Sequence, residues 1–169
     1  MKWIAATVAL GLMVVSPAVA SGPIKAPSPA APDGFSFFSY LGAFERQQMK
    51  DMTRTEREVD RWFAAPVDSK RERRVVRNHR RAVTKVRANA RAMARDLAGL
   101  NGCQADLVRS QSILARAHVA RSNALGSTNL AKLVLVERSI GFQWGRFDGL
   151  AVQTAVCLAE QGWQFQASA

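Results

Sequence analysis

Val75, His79, Ala82, Val86, Ala90, Met93, Leu97 and Leu100 recur at steps of three and four. At about 100° per residue that spacing gathers all eight into one stripe of an α-helix, whereas in a strand it would scatter them over both faces. The segment is therefore read as an amphipathic helix with its seam along these residues. Nowhere does a long segment alternate with period two and β-branched residues, so a sheet is not expected.

Breakers divide the rest of the chain into further helices. The first is expected from about Ala43 to Ala65, stopped by Pro66. Asp68 or Ser69 can cap the second, which runs to about Leu100 before Gly99-Leu100-Asn101-Gly102. A third covers about Gln104 to Leu125. Gly126-Ser127-Thr128-Asn129 forms a turn with built-in capping groups, and a fourth helix runs from about Leu130 to Gln161. No repeat of solenoid length is present. The fold class expected is all-α, a four-helix bundle or a pair of helical hairpins.

The N-terminus has the order of a secretory signal. Lys2 precedes the apolar run Trp3 to Val15, then Ser16 and Pro17, then the small-x-small site Ala18-Val19-Ala20. The run is shorter than the roughly 20 apolar residues that span a bilayer. Cleavage after Ala20 is expected, with retention as an anchor the alternative, so residues 1–20 are read as a signal peptide. Residues 21–42 are read as a Pro/Ala-rich spacer followed by an aromatic segment, and 43–169 as the helical domain. The spacer holds Pro23, Pro27, Pro29 and Pro32, a composition that favours extended polyproline-like chain. Phe35, Phe37, Phe38, Tyr40 and Phe44 are expected to pack over one end of the bundle, although a membrane-surface or partner anchor uses the same residues. The location expected is periplasmic or secreted.

Charge is concentrated in the second helix. The chain has a formal charge of +11, which becomes +10 once Lys2 leaves with the signal. Between Lys70 and Arg95 there are eleven basic residues and one acid, Glu72, while the rest of the mature chain balances. Arg73, Arg77, Arg80, Arg81, Arg87, Arg91 and Arg95 fall opposite the apolar seam as a cationic ridge. Like charges at i and i+4 each cost about 0.2 to 0.5 kcal/mol, and no glutamate dilutes them at that spacing. Two readings follow. The ridge is merely solvated, or neutralised by first-helix acids such as Glu45, Asp51, Glu56, Glu58 and Asp60. Alternatively it binds a polyanion: lipopolysaccharide or phospholipid headgroups, acidic polysaccharide, or nucleic acid. Arginine suits phosphate because its planar fork makes two charge-assisted bonds.

Cys103 and Cys157 lie near the far ends of the third and fourth helices if these form a hairpin. They differ in level by roughly 8 Å at 1.5 Å per residue, a mismatch that a stagger or kink absorbs. An even cysteine count in an exported chain points to a disulfide between them. A zinc site with His79 and His118 lacks the short paired ligand spacing such sites use. Gly141, Gly145 and Gly149 form a ladder in the fourth helix, flanked by Val134, Val152 and Val156, with Ile140, Trp144, Phe147 and Leu158 on another side. Each glycine costs up to about 1 kcal/mol relative to alanine, so close backbone packing in a central helix is expected; a broken helix, or a face for self-association or membrane contact, are the alternatives.

No catalytic motif stands out. Glu137 and Asp148 are about 16 Å apart along a helix, beyond the roughly 5 to 10 Å of a glycosidase pair. G-x-S-x-G, H-E-x-x-H and phosphate-binding glycine loops are absent from the sequence. The features together point to an exported, non-catalytic envelope protein with binding, adaptor or structural work, without a metal or cofactor. Its expected partners are an anionic envelope polymer, lipid headgroups or an envelope protein, with peripheral membrane contact and homo-oligomers compatible with the same features. A nucleic-acid-binding protein is the alternative, and a small hydrolase with an unrecognised site the third.

Overall fold

A computed structural model describes residues 34–163. The expected signal segment and the proline-bearing spacer lie outside the described residues. All regular structure among the described residues is helical: α1 (Gly34–Phe63), α2 (Lys70–Asp96), α3 (Ala105–Gly126), α4 (Leu130–Gly145) and α5 (Phe147–Glu160). Successive helices pack side by side, α1 on α2, α2 on α3 and α3 on α4, with α5 also against α3. The all-α bundle is the fold.

Two boundaries differ from expectation. Helix α1 begins at Gly34, ahead of Ala43, so the aromatic segment forms its first turns. Phe37, Tyr40, Leu41 and Phe44 are buried at steps of three, one and three. They join Met93, Leu97, Leu100, Leu107 and Leu158 in the apolar cluster at one end of the bundle. Glycine, serine and aromatic residues are modest helix formers, and burial of this face outweighs their propensity. Helix α2 stops at Asp96 rather than Leu100, and the chain then turns through Asn101 at φ +48° and Gly102 at φ +92°. The start of α2 is set by Ser69, whose hydroxyl accepts from the Glu72 amide at 3.0 Å, while the Glu72 carboxylate accepts from the Asp68 amide at 2.6 Å.

The fourth helix is broken. At Arg146 the backbone N–H turns back to the Trp144 carbonyl, separating α4 from α5. Gly145 stands immediately before the break, and glycine is the residue with least helical support to lose there. The break lets Phe147 turn inward, where its ring stacks on Trp144 at 5.5 Å and on Phe44 at 5.8 Å. The glycine ladder does not make a close helix contact among the described residues. Gly141, Gly145 and Gly149 are exposed, and a Cβ added at any of them would meet no atom within 4 Å. The expectation of close packing failed because the buried side of this element is carried by Leu133, Val136, Ile140, Phe147, Leu150 and Leu158 instead.

Cys103 and Cys157 form a disulfide with Cα atoms 5.6 Å apart. It joins the turn ahead of α3 to the last turns of α5, on the far side of the break at Arg146.

Inside, the core is layered. An apolar cluster around Phe37, Met93, Leu107 and Leu158 lies at one end. A second around Met52, Val86, Leu114 and Ile140 is central, and a third around Val59, Val75, Leu125 and Leu133 closes the other end. Polar layers separate them. Between the first two, Asn89 donates to Gln48 at 2.9 Å and to Asp51 at 3.1 Å, and Ser110 donates to Gln143 at 2.9 Å. Between the second and third lie Thr55, His79, His118, Arg121 and Ser122, all buried.

Candidate functional site: an arginine ridge on the second helix

Burial of Val75, His79, Val86, Ala90, Met93, Leu97 and Leu100 fixes the rotation of α2 about its axis and turns the opposite side outward. Arg73, Arg77, Arg80, Arg81, Arg87, Arg91 and Arg95 are all exposed along it. Only Arg95 has an ion pair among the described residues, with neighbouring Asp96 at 3.5 Å. Three of the five acids of α1 face other partners. Asp51 takes Arg54 at 3.1 Å and Asn89, Glu58 takes Arg61, and Glu56 takes Arg121 at 2.6 Å. Asp51, Glu56 and Glu58 therefore do not neutralise the ridge, which stands as a solvated face or a face open to an anionic ligand. The physical reason is rotational: α1 covers the flank of α2 that carries Asn89, away from the arginine ladders.

On its other flank α2 meets α3, and two recesses open along the seam. One, of about 580 Å³, is walled by Arg73, Arg77 and Arg80 with Asp68, Glu72 and the Gly126–Thr128 turn. Arg73 is tied to the Asp68 carbonyl at 2.8 Å. The second, of about 250 Å³, is walled by Arg87, Arg91, Arg116 and Ser112 over alanines. Arg116 belongs to α3 and carried no signal in the sequence, because membership of the ridge was drawn from one helix alone.

The other concentration of ionisable groups is the inner polar layer. Arg121 is fully buried; its Nη2 donates to Glu56 at 2.6 Å, and its Nε stands 3.1 Å from Glu137 Oε1 without hydrogen-bond alignment. Burial raises the Glu137 carboxyl above the usual range despite Arg121. The His79 ring Nδ1 lies 2.7 Å from Ser122 Oγ, whose hydroxyl donates to the His118 carbonyl. His118 Nδ1 lies 3.3 Å from Thr55 Oγ1, whose hydroxyl donates to the Met52 carbonyl at 2.7 Å. Each hydroxyl thus stands between an imidazole Nδ1 and a backbone carbonyl, while the Nε2 atoms of both histidines are buried without a hydrogen-bond partner among the described residues. Burial first, and then the Arg121 charge, push His79 down to about 4 and His118 down to about 3. Both are neutral at ordinary pH.

Neither histidine joins the cysteines, which are committed to their disulfide. Among the described residues no group of three or more His, Cys, Asp and Glu is placed to hold a metal ion. Glu137 is engaged with Arg121, while Asp148 is exposed on α5, so the two acids of the apolar segment are not brought together. Comparison with known proteins finds no matching family model, curated protein or solved structure.

Proposed function

We propose that this chain is an exported, non-catalytic envelope protein that docks on an anionic surface, lipid headgroups or an acidic envelope polymer, through the arginine ridge of α2. The observation that carries the reading is that six of the seven ridge arginines have no ion-pair partner among the described residues, although α1 with its acids packs directly on the same helix. Maintaining adjacent like charges along two ladders is a cost that a polyanion removes. Periplasmic or secreted location is supported by the signal-like N-terminus and by the disulfide, which fits an oxidising compartment. No helix among the described residues is long and apolar enough to cross a membrane.

Nucleic acid offers similar phosphate charge, but neither recess beside the ridge has an aromatic wall on which a base would stack, which favours the envelope ligand. The test is binding to lipopolysaccharide, anionic vesicles, heparin and DNA across a salt series. The logarithm of affinity should fall steeply with the logarithm of salt, and vesicles or lipopolysaccharide should be preferred. Changing Arg87, Arg91 and Arg95 together to Gln should flatten that slope while helicity is held or slightly raised. An unchanged slope would sink the reading, and a preference for DNA would replace it with a nucleic-acid role.

A further inference from the structure

We propose that the recess walled by Arg87, Arg91 and Arg116 is a seat for a monoester phosphate carried on an envelope lipid headgroup. The inference rests on the polyanion reading and gives it a chemical class. Arg87 and Arg91 stand one turn apart on α2, and Arg116 reaches the same recess from α3. None of the three has an ion pair among the described residues, and no carboxylate lines the recess. Ala90 and Ala115 keep its floor low, and Ser112 adds a hydroxyl at its edge.

The side chains of three arginines line one hollow, and their like charges repel each other until an anion enters. A monoester phosphate carries up to two charges and three unesterified oxygens, one for each guanidinium. A phosphodiester carries one charge and two such oxygens, and a carboxylate likewise has two oxygens, so either leaves one arginine unmatched. The volume of about 250 Å³ accommodates a phosphate with several waters, each occupying about 30 Å³. The larger recess along the seam is less suited to a dianion. Asp68 and Glu72 stand in its wall, and Arg73 is already tied to backbone.

The test uses the full mature chain with phosphatidylcholine vesicles containing either phosphatidic acid, a monoester, or phosphatidylglycerol, a diester, matched for surface charge. The wild type should prefer the monoester by about tenfold, as expected for one additional charged hydrogen bond. Arg116→Gln should abolish that preference. Arg138→Gln, exposed on α4 and away from the ridge, should keep it. Circular dichroism checks that both variants remain helical; Arg116 is exposed, so its replacement leaves the core intact. Equal binding to the two vesicles, or a preference that survives Arg116→Gln, would overturn the seat while leaving the polyanion reading standing. Absence of binding to either vesicle at low ionic strength would overturn the seat, and absence of binding to lipopolysaccharide and heparin as well would overturn both. If inorganic phosphate alone binds as tightly as the phosphatidic acid vesicles, free phosphate is the ligand and the lipid assignment fails.

Discussion

His79 and His118 are fully enclosed, with Arg121 as the nearest fixed charge. Their lowered values, about 4 and about 3, link folding to pH. The unfolded chain takes up a proton at each histidine near pH 6.5, whereas the folded chain resists until the lower values are reached. The unfolded state therefore binds more protons in that window, and stability falls as the pH drops below about 6.5, by up to about 1.4 kcal/mol per pH unit per histidine. Glu137 acts with the opposite sign above the ordinary carboxylate range, where its raised value favours the protonated folded form. The two histidines, with their large shifts, outweigh Glu137 and the likewise raised Glu45 where the windows overlap. Urea midpoints at pH 7, 6 and 5 should fall in that order, and His118→Gln should reduce the slope whatever it does to stability at pH 7. A slope untouched by that change would remove His118 from the account. Neither the enclosure nor Arg121 was legible in the sequence. A histidine within an apolar stripe reads as core, but the arginine that accompanies it sits among small residues of α3, and the carboxylates it meets come from two other helices.

At the scale of the helix, the seam of α2 was legible because its spacing has one interpretation. Seven of its eight residues are buried, whereas Ala82 is half-buried, and Val76 and Val83 enter the core instead. Packing against both α1 and α3 widens the apolar arc beyond a single stripe, and a single-helix reading does not show where the second neighbour lies. The glycine ladder was visible as a pattern but not in its consequence, since close contact and empty space look alike in sequence. The difference is measurable. Gly145 has open space at its Cβ position and no strained backbone angle, so Gly145→Ala should raise stability by about 0.5 to 1 kcal/mol. Chemical denaturation checks the sign, because a glycine needed for close approach would give a loss.

Across the whole molecule the disulfide closes a sequence separation of 54 residues, a loop whose closure is worth about 4 kcal/mol on the chain-entropy model. Cys103→Ser with Cys157→Ser should lower the unfolding free energy by up to that amount, and alkylation of the unreduced, denatured wild type should label no thiol. A labelled pair of thiols would exclude the bond.

The charge of the chain is also unevenly placed. The segment from Leu130 to Glu160 balances three basic residues, Lys132, Arg138 and Arg146, against Glu137, Asp148 and Glu160, while the excess lies on α2, across α3 from it. The protein therefore behaves as a particle with a large electric dipole, and a negatively charged surface exerts a torque on it as well as an attraction. It should land in one preferred attitude, with α2 inward. In that attitude the uncovered side chains Val134, Phe142, Val152 and Val156 of α4 and α5 are turned away from the anionic layer, so a surface coated with this protein would become less wettable than the bare layer beneath it.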